Sequence, residues 1–319
     1  MKELNKVALD FIVQDIEDSG KLHSATHYSD YFEVITALVE IGNLDYAKKL
    51  LLYLSKFQTW KGVFEFEQLQ EDNGNYNAIM YLNLLSKYLI KSNSLEELKY
   101  FKKTLKKSIS SLRDYFDEDY LLFYRIGWNQ RKEFHFKENL YFLSLALEFS
   151  DFLNHHDFNQ LADELFMIKG KIELGFERYF FQEDIVIQYF VPEEKYYQGY
   201  LDFEIRRFYT EYHFMHKITD KVISKKLTEN DFDEHFFPRL YTYLFLKKTE
   251  QEYKKYLKKD LKFLMELPTS LVPKSYLGSI EKSLFHEDPT IVKMSNKKYN
   301  LLIKGFRLKV AALVLRLLN

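Results

Sequence analysis

VITALVEIGNLDYAKKLLLYL, residues 34–54, decides how this chain folds. Val34, Ile35, Leu38 and Val39 recur at three- and four-residue spacing, which in a helix puts them on one face, and Leu50, Leu51 and Leu54 repeat the pattern further on. Between the two runs Gly42 and Asn43 stop one helix and Asp45 starts the next, so the stretch reads as a helical hairpin closed by a tight turn.

The same period continues further along the chain. Ile79, Leu82, Leu85 and Leu89 carry it, then Leu98, Phe101, Leu105, Ile109 and Leu112, then Leu140, Leu143 and Leu147, then Leu161, Leu165, Ile168, Ile172 and Phe176. Ser94 and Glu97 stand at the spacing of a capping box. The pattern predicts helices near 3–17, 29–41, 45–57, 75–91, 95–113, 137–154, 157–179, 199–217, 221–228, 235–247, 250–266 and 299–317, which form six pairs. Only 10 Gly and 5 Pro in 319 residues leave few breakers, in keeping with long helices.

The connections alternate in kind. Those at 42–44, 92–94, 155–156 and 248–249 are tight, whereas 58–74, 114–136, 180–198 and 267–298 are long. Three of the long ones hold an alternating or β-branched run, Gly62 to Phe66, Tyr120 to Tyr124 and Ile185 to Phe190. Long loops in compact domains are usually functional, and each of these leads into the N-terminus of the following helix. The loops 62–74, 120–136, 185–202 and 267–298 are therefore expected at one end of a single domain, 1–319, around one concave pocket.

Composition excludes several classes. Lys and Arg number 46 against 47 for Asp and Glu, so no global field draws in nucleic acid or an acidic membrane. Cysteine is absent, which removes disulfides, thiolate zinc sites and cysteine nucleophiles. The N-terminal stretch carries Asp10, Asp15 and Glu17 where a signal peptide would be apolar, and the apolar run from Val310 to Leu318 is broken by Arg316 and too short to span a bilayer. The reading is a cytoplasmic protein. No metal or cofactor is expected: His213 and His216 lack a zinc-binding pattern, and neither a phosphate loop nor a serine elbow occurs. The 25 Tyr and 29 Phe are first of all large core side chains. Runs such as Lys102, Lys103, Lys106 and Lys107 read as the solvent face of an outer helix that could touch an acidic partner.

Six helical hairpins with β-containing loops before alternate helices resemble the (α/α)6 toroid of the six-hairpin glycosidases, the glucoamylase-like superfamily. The likeness spans nearly the whole chain and is closest in Tyr28-Ser29-Asp30 with Leu38 to Gly42 and Asp45 to Ala47, and in Lys61 to Phe64 with Asp72 to Asn77. The family often opens its first inner helix with Arg-Asp; here Ser29 replaces the arginine and Asp30 matches the aspartate. Where such enzymes carry Asp-x-Trp-Glu, this chain has Ile126, Gly127, Trp128 and Asn129, so the tryptophan matches and both carboxylates are missing. Glu133 and Glu138 are the nearest substitutes for the missing acid.

The resemblance implies an all-α toroid acting on carbohydrate with paired carboxylates as acid and base. Glu67 or Asp72 is then the base, and Glu133 or Glu138 the acid. Asp30, Arg125, Trp128, Asn129, Arg131, Tyr197 and Asp202 are the expected substrate-binding residues, since aromatics beside Arg and Asn can stack on a sugar and hydrogen-bond its hydroxyls. Two other classes stay open: a catalytically silent toroid or helical scaffold binding a glycan or protein partner, which Asn129 favours, and a lyase or isomerase using Tyr and His.

Overall fold

A computed structural model of the chain describes residues 2–25, 28–65, 74–126, 130–182, 185–192, 196–199, 236–249 and 308–319. Its helices are α1 Lys2–Asp15, α2 Tyr28–Glu40, α3 Leu44–Ser55, α4 Gly74–Ser92, α5 Leu95–Leu112, α6 Phe136–His155, α7 Asn159–Tyr179, α8 Phe236–Lys248 and α9 at 308–318. The strands are β1 Phe116–Asp117, β2 Leu122–Ile126, β3 Lys132–His135, β4 Phe181–Gln182, β5 Ile185–Val191 and β6 Tyr196–Gly199. The chain divides into two compact units, one of residues 1–50 and 223–319 with 209–211, the other of 51–208 with 212–222.

In the first unit α2 is buried on every side from Tyr31 to Val39, as expected of a helix enclosed by others. Its charged residues are therefore partnered. Asp30 pairs with Lys309 of α9 at 3.0 Å, and Lys309 also donates to Ser29 Oγ at 2.8 Å. Arg316 of α9 holds both oxygens of Glu40, at 2.8 and 3.0 Å, and stands 3.6 Å from Glu33, which also accepts from the Tyr241 hydroxyl of α8. Charges this far from water persist because each has a partner; removing one alone strands the other.

In the second unit α4 packs on α5 and α6, and α6 on α7. Buried polar groups fix the register: Asn83 Nδ2 donates to the Tyr141 carbonyl at 3.2 Å and to Ser144 Oγ at 3.1 Å, while the Tyr76 and Tyr141 rings lie 6.1 Å apart. Residues 76 to 83 of α4 thus run alongside 141 to 144 of α6 in the same direction, which sets the two N-termini side by side. The tight connection before α5 is closed by Ser94, whose hydroxyl accepts from the Glu97 N–H, the first half of the expected capping box.

The strands pair antiparallel in the order β1-β2-β3-β5-β4, with β6 on β5. Two long connections, 114–136 and 180–198, therefore meet in one sheet. The expected strand at 120–124 is shifted to 122–126, because Tyr120 and Leu121 form a turn in which the Leu121 N–H returns to the Asp117 carbonyl and Leu121 takes a φ of 58°. Of the expected run at 62–66, the described residues 62–65 form only a single bridge, between Gln58 and Phe64. Gly62, at φ 95°, lies so close to α5 that a Cβ would meet the Lys107 carbonyl oxygen at 2.1 Å, and this turn replaces a strand. The expected helix start at 199 is instead the end of β6. The helices expected over 200–217, 221–228 and 250–266, and the loop 267–298, lie outside the described residues.

Candidate active site

β3 reads Lys132, Glu133, Phe134, His135, and the pleat sends alternate side chains to opposite faces. Phe134 goes to the core, where it stacks on Phe190 at 5.0 Å and meets Tyr120 at 4.7 Å. Glu133 and His135 take the other face. Arg125 of β2 is the cross-strand partner of Glu133, and Tyr189 of β5 that of His135, so four polar or aromatic side chains share this face. The His135 and Tyr189 rings are parallel within 12° and 5.1 Å apart.

His135 is also the residue before α6, and the first turn of that helix carries Glu138 back over the strand ends. Asn139 fixes the junction: its Oδ1 accepts from the Phe123 N–H at 2.8 Å, and its Nδ2 donates to the carbonyls of Phe123 at 3.2 Å and His135 at 2.9 Å. One guanidinium thereby meets two carboxyl groups, with Arg125 3.4 Å from Glu133 Oε2 and 3.7 Å from Glu138 Oε1. The Arg125 Nε also stands 2.7 Å from His135 Nε2, which is 3.0 Å from Glu133 Oε2. A single ring nitrogen cannot accept from the arginine and donate to the carboxylate at once, so those contacts are alternatives set by the proton on Nε2.

The two carboxyl groups differ in environment. Glu133 is partly exposed, and its hydrogen bond with His135, reinforced by the nearby Arg125, holds it below the usual glutamate range despite partial burial. Glu138 retains only 3% side-chain exposure, and burial pushes it up against the opposing pull of His135, Arg125 and Lys137. Its Oε2 has no hydrogen-bond partner among the described residues. A carboxyl whose proton affinity is raised beside one whose affinity is lowered is the arrangement that separates an acid from a base. Around this pair, Lys137 lies 5.7 Å from the Tyr76 ring and 5.5 Å from that of Tyr141, where α4 and α6 begin.

Of the residues expected from sequence, Arg125, Glu133 and Glu138 come together here. Arg131 is exposed on the β2–β3 connection, and Tyr197 pairs through its backbone with Phe190 in β6. Asp30 belongs to the buried pair with Lys309 in the other unit. Glu67, Asp72, Trp128, Asn129 and Asp202 lie outside the described residues. His135, Tyr189 and Asn139 were not anticipated; the alternation of 132–135, read as a strand, would have put His135 beside Glu133. Among the described residues no group of three or more His, Asp or Glu is arranged to hold a metal ion, and no helix is long and apolar enough to cross a membrane.

No family model matches the chain, and no curated protein matches it. Solved structures do. A protein described as a novel alpha-amylase from Clostridium perfringens matches over 99% of this chain and 98% of its own, with TM-score 0.55 and 13% identity. The GH76 alpha-mannanase of Bacteroides thetaiotaomicron matches over 100% and 97%, with TM-score 0.53 and 10% identity. Likeness at such identities is likeness of fold, and it gives this chain an all-α toroid fold with short strands in the long connections.

Proposed function

We propose that the protein is a carbohydrate-active enzyme, one 1–319 domain that hydrolyses a glycosidic bond in an oligosaccharide or glycan, with Glu138 as proton donor. The observation that carries this reading is the pair of carboxyl groups on Arg125 whose environments push their proton affinities in opposite directions. Glu138, whose proton affinity burial raises, is the carboxyl better suited to carry the proton that a departing sugar oxygen needs. An ionised Glu133 has the charge that an oxocarbenium-like centre attracts. Arg125 positions both groups. Glu67 and Asp72 keep their place as alternative bases. The fold shared with an alpha-mannanase and an amylase-like protein supports carbohydrate as the substrate class.

The test is turnover of a panel of α-linked gluco- and manno-oligosaccharides by the wild type, Glu138→Gln and Glu133→Gln, with binding and product release recorded separately. Each amide should lower turnover by roughly 100-fold or more with binding retained. A second reading, a silent glycan-binding toroid, is favoured by the burial of Glu138 and by the commitment of Glu133 to Arg125 and His135, which ties β3 to β2. Binding without release by the wild type establishes that reading instead.

A further inference from the structure

The near-zero net charge conceals a strongly asymmetric surface in the second unit. Along α5, Lys99, Lys102, Lys103, Lys106 and Lys107 follow one another with no carboxylate between them. At 100° per residue these five side chains occupy about 140° of the helix circumference and extend roughly 12 Å along the axis. The opposite face, Leu98, Phe101, Leu105, Ile109 and Leu112, is buried in the core. Lys99, Lys102, Lys103 and Lys106 are exposed. Among the described residues no carboxylate lies within ion-pair distance of Lys61, Lys99, Lys103, Lys106 or Lys107, whereas Arg113 beyond them is paired with Glu164 at 2.8 Å. Glu96 and Asp114 bound the stripe at its two ends.

An indole stands at the edge of this stripe. The turn after α3 is clamped to α5: Gln58 Nε2 lies 3.2 Å from the Thr104 carbonyl and 2.8 Å from Ser108 Oγ, Gly62 is pressed on the Lys107 carbonyl, and Thr59 N–H closes on the Val63 carbonyl at 2.9 Å. Trp60, at the apex, is 80% exposed, and the Lys61 ammonium stands 5.4 Å from its ring. Tyr100, 63% exposed, projects from α5 itself. A fixed turn that holds a tryptophan out of the core gains nothing from packing it. From Lys99 to Lys107 the helix offers ammonium groups and an aromatic ring but no carboxylate or amide side chain, so the stripe recognises charge and an apolar interface and not the hydroxyl pattern of a sugar.

We propose that this face, α5 with the Trp60 turn, docks the protein peripherally on an anionic lipid bilayer. The lysines match a plane of acidic headgroups while their stems stay on the helix, and the indole enters the interfacial layer, where tryptophan is favoured. A stripe on the exposed side of one helix suits a flat partner better than a single polymer strand, which would need a groove.

The experiment is co-sedimentation of the full chain with vesicles of zwitterionic lipid alone or with about 30% phosphatidylglycerol, at roughly 0.1 M and 0.5 M salt, with tryptophan emission recorded alongside. Binding is expected only to the anionic vesicles at low salt, with a blue shift that Trp60→Phe abolishes. The triple change Lys99→Glu, Lys103→Glu, Lys106→Glu should weaken binding at least about tenfold, and Trp60→Ala severalfold, with the far-ultraviolet circular dichroism unchanged. None of these residues lies in the candidate active site, so hydrolysis of a soluble oligosaccharide should be unaffected. The proposal is overturned if anionic vesicles are not bound, if the triple variant binds them as well as the wild type, or if the stripe binds single-stranded RNA or an acidic polysaccharide while leaving vesicles in the supernatant.

Discussion

Replacing Glu138 by Gln should make the protein more resistant to unfolding as the pH rises. Glu138 is buried, its Oε2 lacks a partner among the described residues, and burial raises its proton affinity above the ordinary value of 4.5. Below that value both folded and unfolded chains carry the proton and the group contributes no pH dependence. Above it the unfolded chain releases the proton while the folded chain keeps it, so stability falls with pH at about 1.4 kcal/mol per unit until the folded group also ionises. Glutamine fills the same space without titrating, and that loss disappears. The swap has its own fixed cost, an unpartnered amide where a carboxyl was, of about 1–3 kcal/mol and independent of pH. The readout is therefore the slope: the difference in urea-unfolding free energy between variant and wild type should grow in favour of the variant from pH 4.5 upward. A flat difference shows that Glu138 titrates normally, and a decline shows that Arg125 at 3.7 Å outweighs burial; either refutes the assignment of Glu138 as an acid.

Asp117 should behave in the opposite sense. Burial raises its proton affinity, but Lys132 at 2.6 Å and the N–H groups of Tyr120 and Asp119 outweigh it and lower the pKa, so the stability it confers is present above 3.8 and lost as pH falls through the lowered value. Asp117→Ala should cost about 1–3 kcal/mol at neutral pH by leaving those groups unpaired, and chemical denaturation measures it. Gly175→Ala should destabilise by about 1–3 kcal/mol or more, because the new Cβ would stand 2.4 Å from the Tyr120 carbonyl oxygen and 2.6 Å from that of Leu121. Gly170→Ala in the same helix meets nothing within 4 Å and should instead stabilise by about 0.5–1 kcal/mol; melting temperatures of the two variants separate the effects.

The helices were legible because their information is local. Val34 to Leu54 specify a hairpin by spacing, and Ser94 with Glu97 mark a helix start, before any distant contact is made. Of the sheet, β5 was legible in the run 185–190 and β2, shifted by two residues, in 120–124, but β3 and the pairing were not, because Lys132 to His135 hold only one core residue, Phe134, and need Phe190 to become a strand. Leu121 with a positive φ is equally invisible, since nothing in a leucine asks for it. The candidate site shows the same division. Glu133 and Glu138 could be named as the carboxyl groups nearest the missing motif, but their meeting on one guanidinium depends on a strand that turns into a helix at His135, held there by Asn139. Asp30 matched a family position and yet is partnered by Lys309, far along the chain, which no local pattern could reveal.

The most direct measurement of the central claim compares Glu138→Gln with the wild type on two versions of one glycoside, one with a sugar leaving group and one with dinitrophenol. A sugar oxygen must be protonated to leave, whereas dinitrophenolate departs without help, so loss of a general acid harms only the first. The account predicts that turnover of the sugar-leaving substrate falls roughly 100- to 10,000-fold, while that of the dinitrophenyl glycoside falls by less than about tenfold. Equal losses on both substrates, or a wild type that cleaves neither, would contradict it.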